Sequence, residues 1–114
     1  MTTTLAPIVL HGLTTCETCR TARARLRGAG REVILRDLRA QPPGAAEIAR
    51  WHAVLGPDLL NRRSATWRQL SEADRAREPE TLMAAHPALI KRPVIDADGL
   101  LLGWSAATRA ALGL

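Results

Sequence analysis

Pro7-Ile-Val-Leu-His-Gly-Leu-Thr-Thr-Cys-Glu-Thr-Cys19 changes character midway, and that change decides the fold. Pro7 to His11 is a short apolar run bounded by Pro7 and Gly12, with the length and β-branching of a buried strand. Gly12-Leu-Thr-Thr15 then turns the chain into a helix. From Cys16 to Ala29 there is no proline, and Ala22, Leu26 and Ala29 recur at helical spacing while Arg20, Arg23, Arg25 and Arg27 fall mostly on other faces. Gly28 and Gly30 stand where a glycine closes a helix. Val33-Ile-Leu35, between Arg31-Glu32 and Arg36-Asp37, reads as a second strand, so the opening third is β-α-β.

Beyond it, Gln41-Pro-Pro-Gly44 is a linker, and Ala45 to Leu55 repeats apolar residues Ile48, Trp51 and Leu55, with His52 nearby, on one helical face. Gly56-Pro57 stops that helix. Leu59 to Arg68 carries Arg62, Arg63, Trp67 and Arg68, and Pro79 to His86 predicts a short helix that ends before Pro87. The segment at about 41–88 is thus expected to be a helical insertion. Asp98-Gly99 between Pro93-Val-Ile-Asp96 and Leu100-Leu-Leu-Gly103 predicts a hairpin with a type I′ turn. Ser105 is placed to cap a last helix through Leu112. The order β-α-β, helices, β-β-α predicts a thioredoxin-like (glutaredoxin-like) α/β fold, whose chemistry lies between the first strand and the first helix. Such folds carry a cis proline before the third strand, so Arg92-Pro93 is predicted cis.

A length of 114 residues, 46% hydrophobic and 24% charged, suits one globular domain and argues against disorder, a collagen-like repeat or a coiled coil. No apolar run reaches the roughly 18 residues of a membrane span. Met1 to Leu10 lacks the basic start and long apolar stretch of a signal peptide, so a cytoplasmic location is expected. The net charge of +5 raises nucleic-acid binding. Against it, fifteen of the sixteen basic residues are arginine and they are interleaved with Glu47, Glu72, Asp74, Glu78 and Glu80, the pattern of a solvated surface. No long apolar stripe is exposed by the pattern, which makes a monomer the default.

Cys16 and Cys19 are the only cysteines and cannot form a disulfide framework. In a reducing compartment a C-x-x-C is a redox pair, half of a metal site, or two packing residues. A structural zinc needs four ligands, and His11, His52 and His86 are scattered singly, so no metal is expected. A thiolate at the start of a helix faces unbonded N–H groups and the positive end of the dipole. Arg20 adds to this and Glu17 opposes it. Cys16, the better placed, is assigned nucleophile, and Cys19, three positions on, is assigned resolver. Arg62-Arg63 and Lys91-Arg92 are the remaining polar candidates, because arginine pairs with oxyanions through two parallel bonds. Arg92 gains weight from its place before Pro93, and His11 reads as a strand-end residue.

His11-Gly-Leu-Thr-Thr-Cys16, Leu59-Leu-Asn-Arg-Arg-Ser-Ala-Thr-Trp-Arg68, His86-Pro-Ala-Leu-Ile-Lys-Arg-Pro-Val-Ile95 and Gly99 to Trp104 together resemble the ArsC/Spx family, closest to its YffB-type, arsenate-reductase-related branch. The resemblance covers nearly the whole chain. It implies a thiol-dependent reductase in which Cys16 attacks a small oxyanion or thiol substrate and Cys19 or glutathione resolves the adduct. Arg62 or Arg63, with Arg92 and Pro93, would hold the anionic group. Glutathione, a glutaredoxin or a thioredoxin is the implied electron donor, with no bound cofactor. The reductases carry a further arginine in the final hairpin, where this chain has Gly103-Trp104, a departure that disfavours true arsenate reduction. The C-x-x-C also resembles that of Spx, a redox-sensing regulator that binds RNA polymerase. That is the alternative, ranked second because Spx-like proteins carry a longer C-terminal region.

Overall fold

A computed structural model describes residues 6–114. The absence of a leader, expected from Met1 to Leu10, falls in part on residues 1–5, outside the described ones. The chain forms two compact units, one containing the residues up to Asp37 together with Arg92–Leu114, the other Leu38–Lys91.

The first unit is built on a four-stranded sheet in the order β2-β1-β3-β4. β1 (Ile8–Gly12) runs parallel to β2 (Val33–Asp37), in register from Ile8 opposite Val33 to Gly12 opposite Asp37. Parallel neighbours need a crossover, and α1 (Glu17–Gly28) supplies it. β3 (Val94–Asp96) pairs antiparallel with β1 and with β4 (Leu100–Leu102). The central strands are the buried ones: Ile8, Leu10, Val94 and Ile95 are fully enclosed. α1 lays Cys19, Ala22 and Leu26 inward. Leu26 alone, fully buried, contributes about 1.5–3 kcal/mol of transfer free energy. Helix α1 ends as the glycine spacing predicts: Ala29 caps it and Gly30 takes φ 84°.

Arg92-Pro93 is cis. The hairpin forms at Asp98-Gly99, both with positive φ (60° and 141°), but Asp96 pairs with Leu100, so the connection spans Ala97 to Gly99. It is therefore not the expected two-residue type I′ turn; Ala97 N–H donates to the Gly99 carbonyl and takes one more residue out of the ladder. Ser105 caps α6 (Ala106–Ala111), its Oγ accepting the Thr108 N–H at 3.2 Å.

In the second unit α2 (Ala45–Leu55) packs on α5 (Pro79–Ala85), burying Ile48, Trp51, Leu82 and Met83. His52 Nδ1 lies 2.7 Å from Glu80 Oε2 and ties the same two helices. α3 (Ala65–Gln69) and α4 (Glu72–Arg75) were not expected. They are too short to show a period, and each is started by a serine, Ser64 or Ser71, whose Oγ accepts an N–H at 3.1 Å. Among the described residues no helix is long and apolar enough to cross a membrane.

Candidate active site

β1 delivers Gly12 to a tight turn, and Cys16 is the N-cap of α1: its backbone is extended (φ −81°, ψ 119°) and its carbonyl accepts the Arg20 N–H at 3.1 Å. The turn is held at both ends. Cys16 N–H donates to the Leu13 carbonyl, while the Thr14 N–H and Oγ–H both donate to Asp37 Oδ2, at 3.0 and 2.9 Å. Asp37 closes β2 directly opposite Gly12, so the sheet register brings this carboxylate to the turn.

Both cysteines are unbridged thiols, in different surroundings. Cys16 is partly exposed. Burial pushes its pKa up, but the Cys19 N–H, the Cys19 thiol and the Arg92 guanidinium together outweigh that, and its pKa lies below the ordinary value. The sulfur makes no capping hydrogen bond of standard geometry, so these groups act by facing it rather than by closing a cap. Neither Arg20 nor Glu17 is among the groups that move it; the positive charge comes from Arg92, across the turn. Cys19 is fully enclosed, and burial, aided by the neighbouring Cys16, pushes its thiol up to about 11, although the Leu13 backbone works against this. The geometry thus separates the pair into an accessible thiol of lowered pKa and a protonated thiol behind it.

Gly12 makes room for that second thiol. A Cβ built on Gly12 would collide with Cys19 Sγ and come within 3.5 Å of Cys19 Cβ. The sequence marked Gly12 only as the end of a strand; a glycine seven residues before an inward-facing helical cysteine was the available signal. Pro93 is buried next to Arg92, and its carbonyl accepts the Gly103 N–H at 2.8 Å. His11 is buried at the strand end, and its Nδ1 accepts from Arg36 Nη1 at 3.2 Å, which places the ring proton on Nε2.

Arg62 and Arg63 lie in the second unit, on a cavity of about 430 Å³ that Asp58, Leu60, Asn61 and Lys91 also line. A single bridge, Leu60 to Ile90, staples its two walls, with Asn61 N–H donating to the Leu89 carbonyl and Lys91 N–H to that of Leu59, each at 2.8 Å. Arg62 stacks on Trp67 with its guanidinium 5.5 Å from the ring centroid. Three cations against one carboxylate give this cavity a positive lining. Among the described residues no group of three or more histidine, cysteine or carboxylate side chains could hold a metal ion.

Residues 11–112, from the end of β1 through α6, match the model of the ArsC family. The chain belongs to the ArsC family. A protein from Haemophilus influenzae, described as uncharacterized, is 33% identical over 104 residues, covering 86% of this chain and 91% of its own. Among solved structures, a YffB protein is 33% identical with a TM-score of 0.82, over 91% of this chain and 96% of that one. An arsenate reductase (ArsC) related protein from Brucella melitensis is 30% identical with a TM-score of 0.73, over 93% of each chain. Within the ArsC family fold, Cys16 stands at the end of the turn between the first strand and first helix, Cys19 in the first turn of that helix, and Arg92-Pro93 on the loop before the third strand.

Proposed function

We propose that this ArsC-family protein is a cytoplasmic thiol-dependent reductase in which Cys16 is the nucleophile. The observation that carries the proposal is the split of one C-x-x-C into a partly exposed cysteine of lowered pKa beside Arg92 and a buried cysteine that stays protonated. With a disulfide substrate, the Cys16 thiolate bonds to one sulfur and the other leaves as a thiolate. Cys19, giving up its proton, then bonds to Cys16 Sγ and releases the second substrate thiol. Two electrons pass to the substrate and the Cys16–Cys19 disulfide remains. With an oxyanion such as arsenate, the Cys16 sulfur displaces hydroxide from the central atom. Attack on that sulfur by Cys19 or by glutathione then lets the central atom depart with the bonding pair, two electrons richer.

Arg92 holds the anionic group in this reading, and Arg63, with Arg62, provides the same chemistry on the cavity of the second unit. With Gly103-Trp104 in the region of the final hairpin where the family's reductases carry a further arginine, a thiol substrate is favoured over arsenate. Alkylation of Cys16 by iodoacetamide across pH tests the core of the proposal. An apparent pKa below the free-cysteine value of about 8.5 is expected, moving up in Arg92→Ala. Arg92→Ala should also raise KM or lower kcat for a glutathione mixed disulfide, and Cys16→Ser should abolish turnover. An ordinary pKa together with a dithiol that will not oxidise would overturn it.

A further inference from the structure

Cys16, Arg20, Arg23 and Arg27 follow one another at spacings of four, three and four residues. At about 100° per residue this places them within a stripe about 60° wide on one side of a helix. α1 buries a different side, through Cys19, Ala22 and Leu26, and leaves Arg20 and Arg27 exposed with Arg23 half-buried. Glu17 is the helix's one acidic residue.

Several arginines off this stripe are engaged. Arg36 bonds His11, Arg75 bonds the Trp67 and Arg68 carbonyls, Arg77 pairs with Asp74, and Arg109 bonds the Trp104 carbonyl. Among the described residues no carboxylate pairs with Arg20, Arg23 or Arg27. A line of uncompensated positive charge therefore begins at the reactive sulfur and runs down α1.

We infer that this stripe docks an acidic protein bearing a dithiol, the reductant that returns the Cys16–Cys19 disulfide to thiols. The inference rests on the redox chemistry proposed above. Arg27 lies about 16 Å along the helix axis from Cys16, beyond a small peptide thiol whose sulfur is at Cys16. A nucleic acid would match the charge but has no sulfur to exchange at the end of the stripe. In the step served, a partner thiolate bonds to Cys16 Sγ, and the Cys16–Cys19 bond breaks with its electrons going to Cys19, which takes a proton. The partner's second thiolate then bonds to the first partner sulfur and frees Cys16 as a thiolate. The partner is left with a disulfide, two electrons poorer. Carboxylates around its dithiol would meet the stripe and raise the encounter rate.

The test uses the oxidised full-length protein and two synthetic peptides, each a Cys-x-x-Cys dithiol followed by four glutamates or by four glutamines. Each reduction rate is divided by the same peptide's rate with hydroxyethyl disulfide, which removes differences in intrinsic thiol reactivity. The glutamate peptide should be about 10-fold faster at low ionic strength, the gap closing near 0.5 M salt. Arg23→Gln/Arg27→Gln should narrow the gap while the rate with dithiothreitol is unchanged. Equal rates for the two peptides, or a gap that survives that double variant, would overturn the docking assignment and leave the redox proposal standing. A pair that resists oxidation, with both thiols still titrating, would overturn both.

Discussion

The residue that decides whether Cys19 can sit behind Cys16 is Gly12, which bears no side chain at the point where the Cys19 sulfur packs. Its role is separable from ordinary stability by a double-mutant cycle. Gly12→Ala forces a methyl group against that sulfur and should cost about 1–3 kcal/mol, the range of overpacked cores. In a Cys19→Ala background the sulfur is gone and most of the loss should disappear, giving a coupling energy of about 1 kcal/mol or more in urea unfolding. An equal loss in both backgrounds would assign Gly12 to the backbone alone. At this scale the sequence was read correctly for the place of Cys16 at the helix start and for the cis bond at Arg92-Pro93, because helix caps and X-Pro bonds are local. It could not show Gly12 meeting Cys19, a contact fixed by packing between a strand and a helix.

Among the elements, those with a clear period or a strong stop were legible: β1, α1, β2, α2, α5 and the β3-β4 hairpin all lie where the apolar spacing and the glycines put them. α3 and α4 were not, since five and four residues carry no usable period, and only Ser64 and Ser71 announced them. The clamp between elements was equally hidden. Asp37 meets Thr14 because β2 pairs with β1 in a register that no local pattern specifies. Removing this carboxylate should loosen the turn that presents Cys16. Asp37→Ala is expected to lower stability by about 1 kcal/mol and to speed hydrogen exchange of the Thr14 amide several-fold. Asp37→Asn keeps one acceptor oxygen and should fall between the two. Unchanged Thr14 exchange in Asp37→Ala would show that the turn holds without its clamp.

For the whole molecule, a buried thiol is a stability statement. The native state holds Cys19 protonated up to about 11, against a reference value of 9.0. A group whose native pKa is raised contributes stability that is fully present below its unfolded pKa and is lost as pH rises toward the native value. The window is therefore alkaline, from about 9 to about 11. Cys16 has the opposite sign: its lowered native pKa stabilises the fold above the unfolded value, and that contribution fades as pH falls through the native one. With the protein kept reduced, the urea midpoint of the wild type should decline between pH 9 and 10.5, and Cys19→Ala should decline less over the same interval. Parallel declines in the two proteins would mean that Cys19 ionises in the folded state as readily as in the unfolded chain, and that its enclosure behind Gly12 opens on the timescale of the measurement.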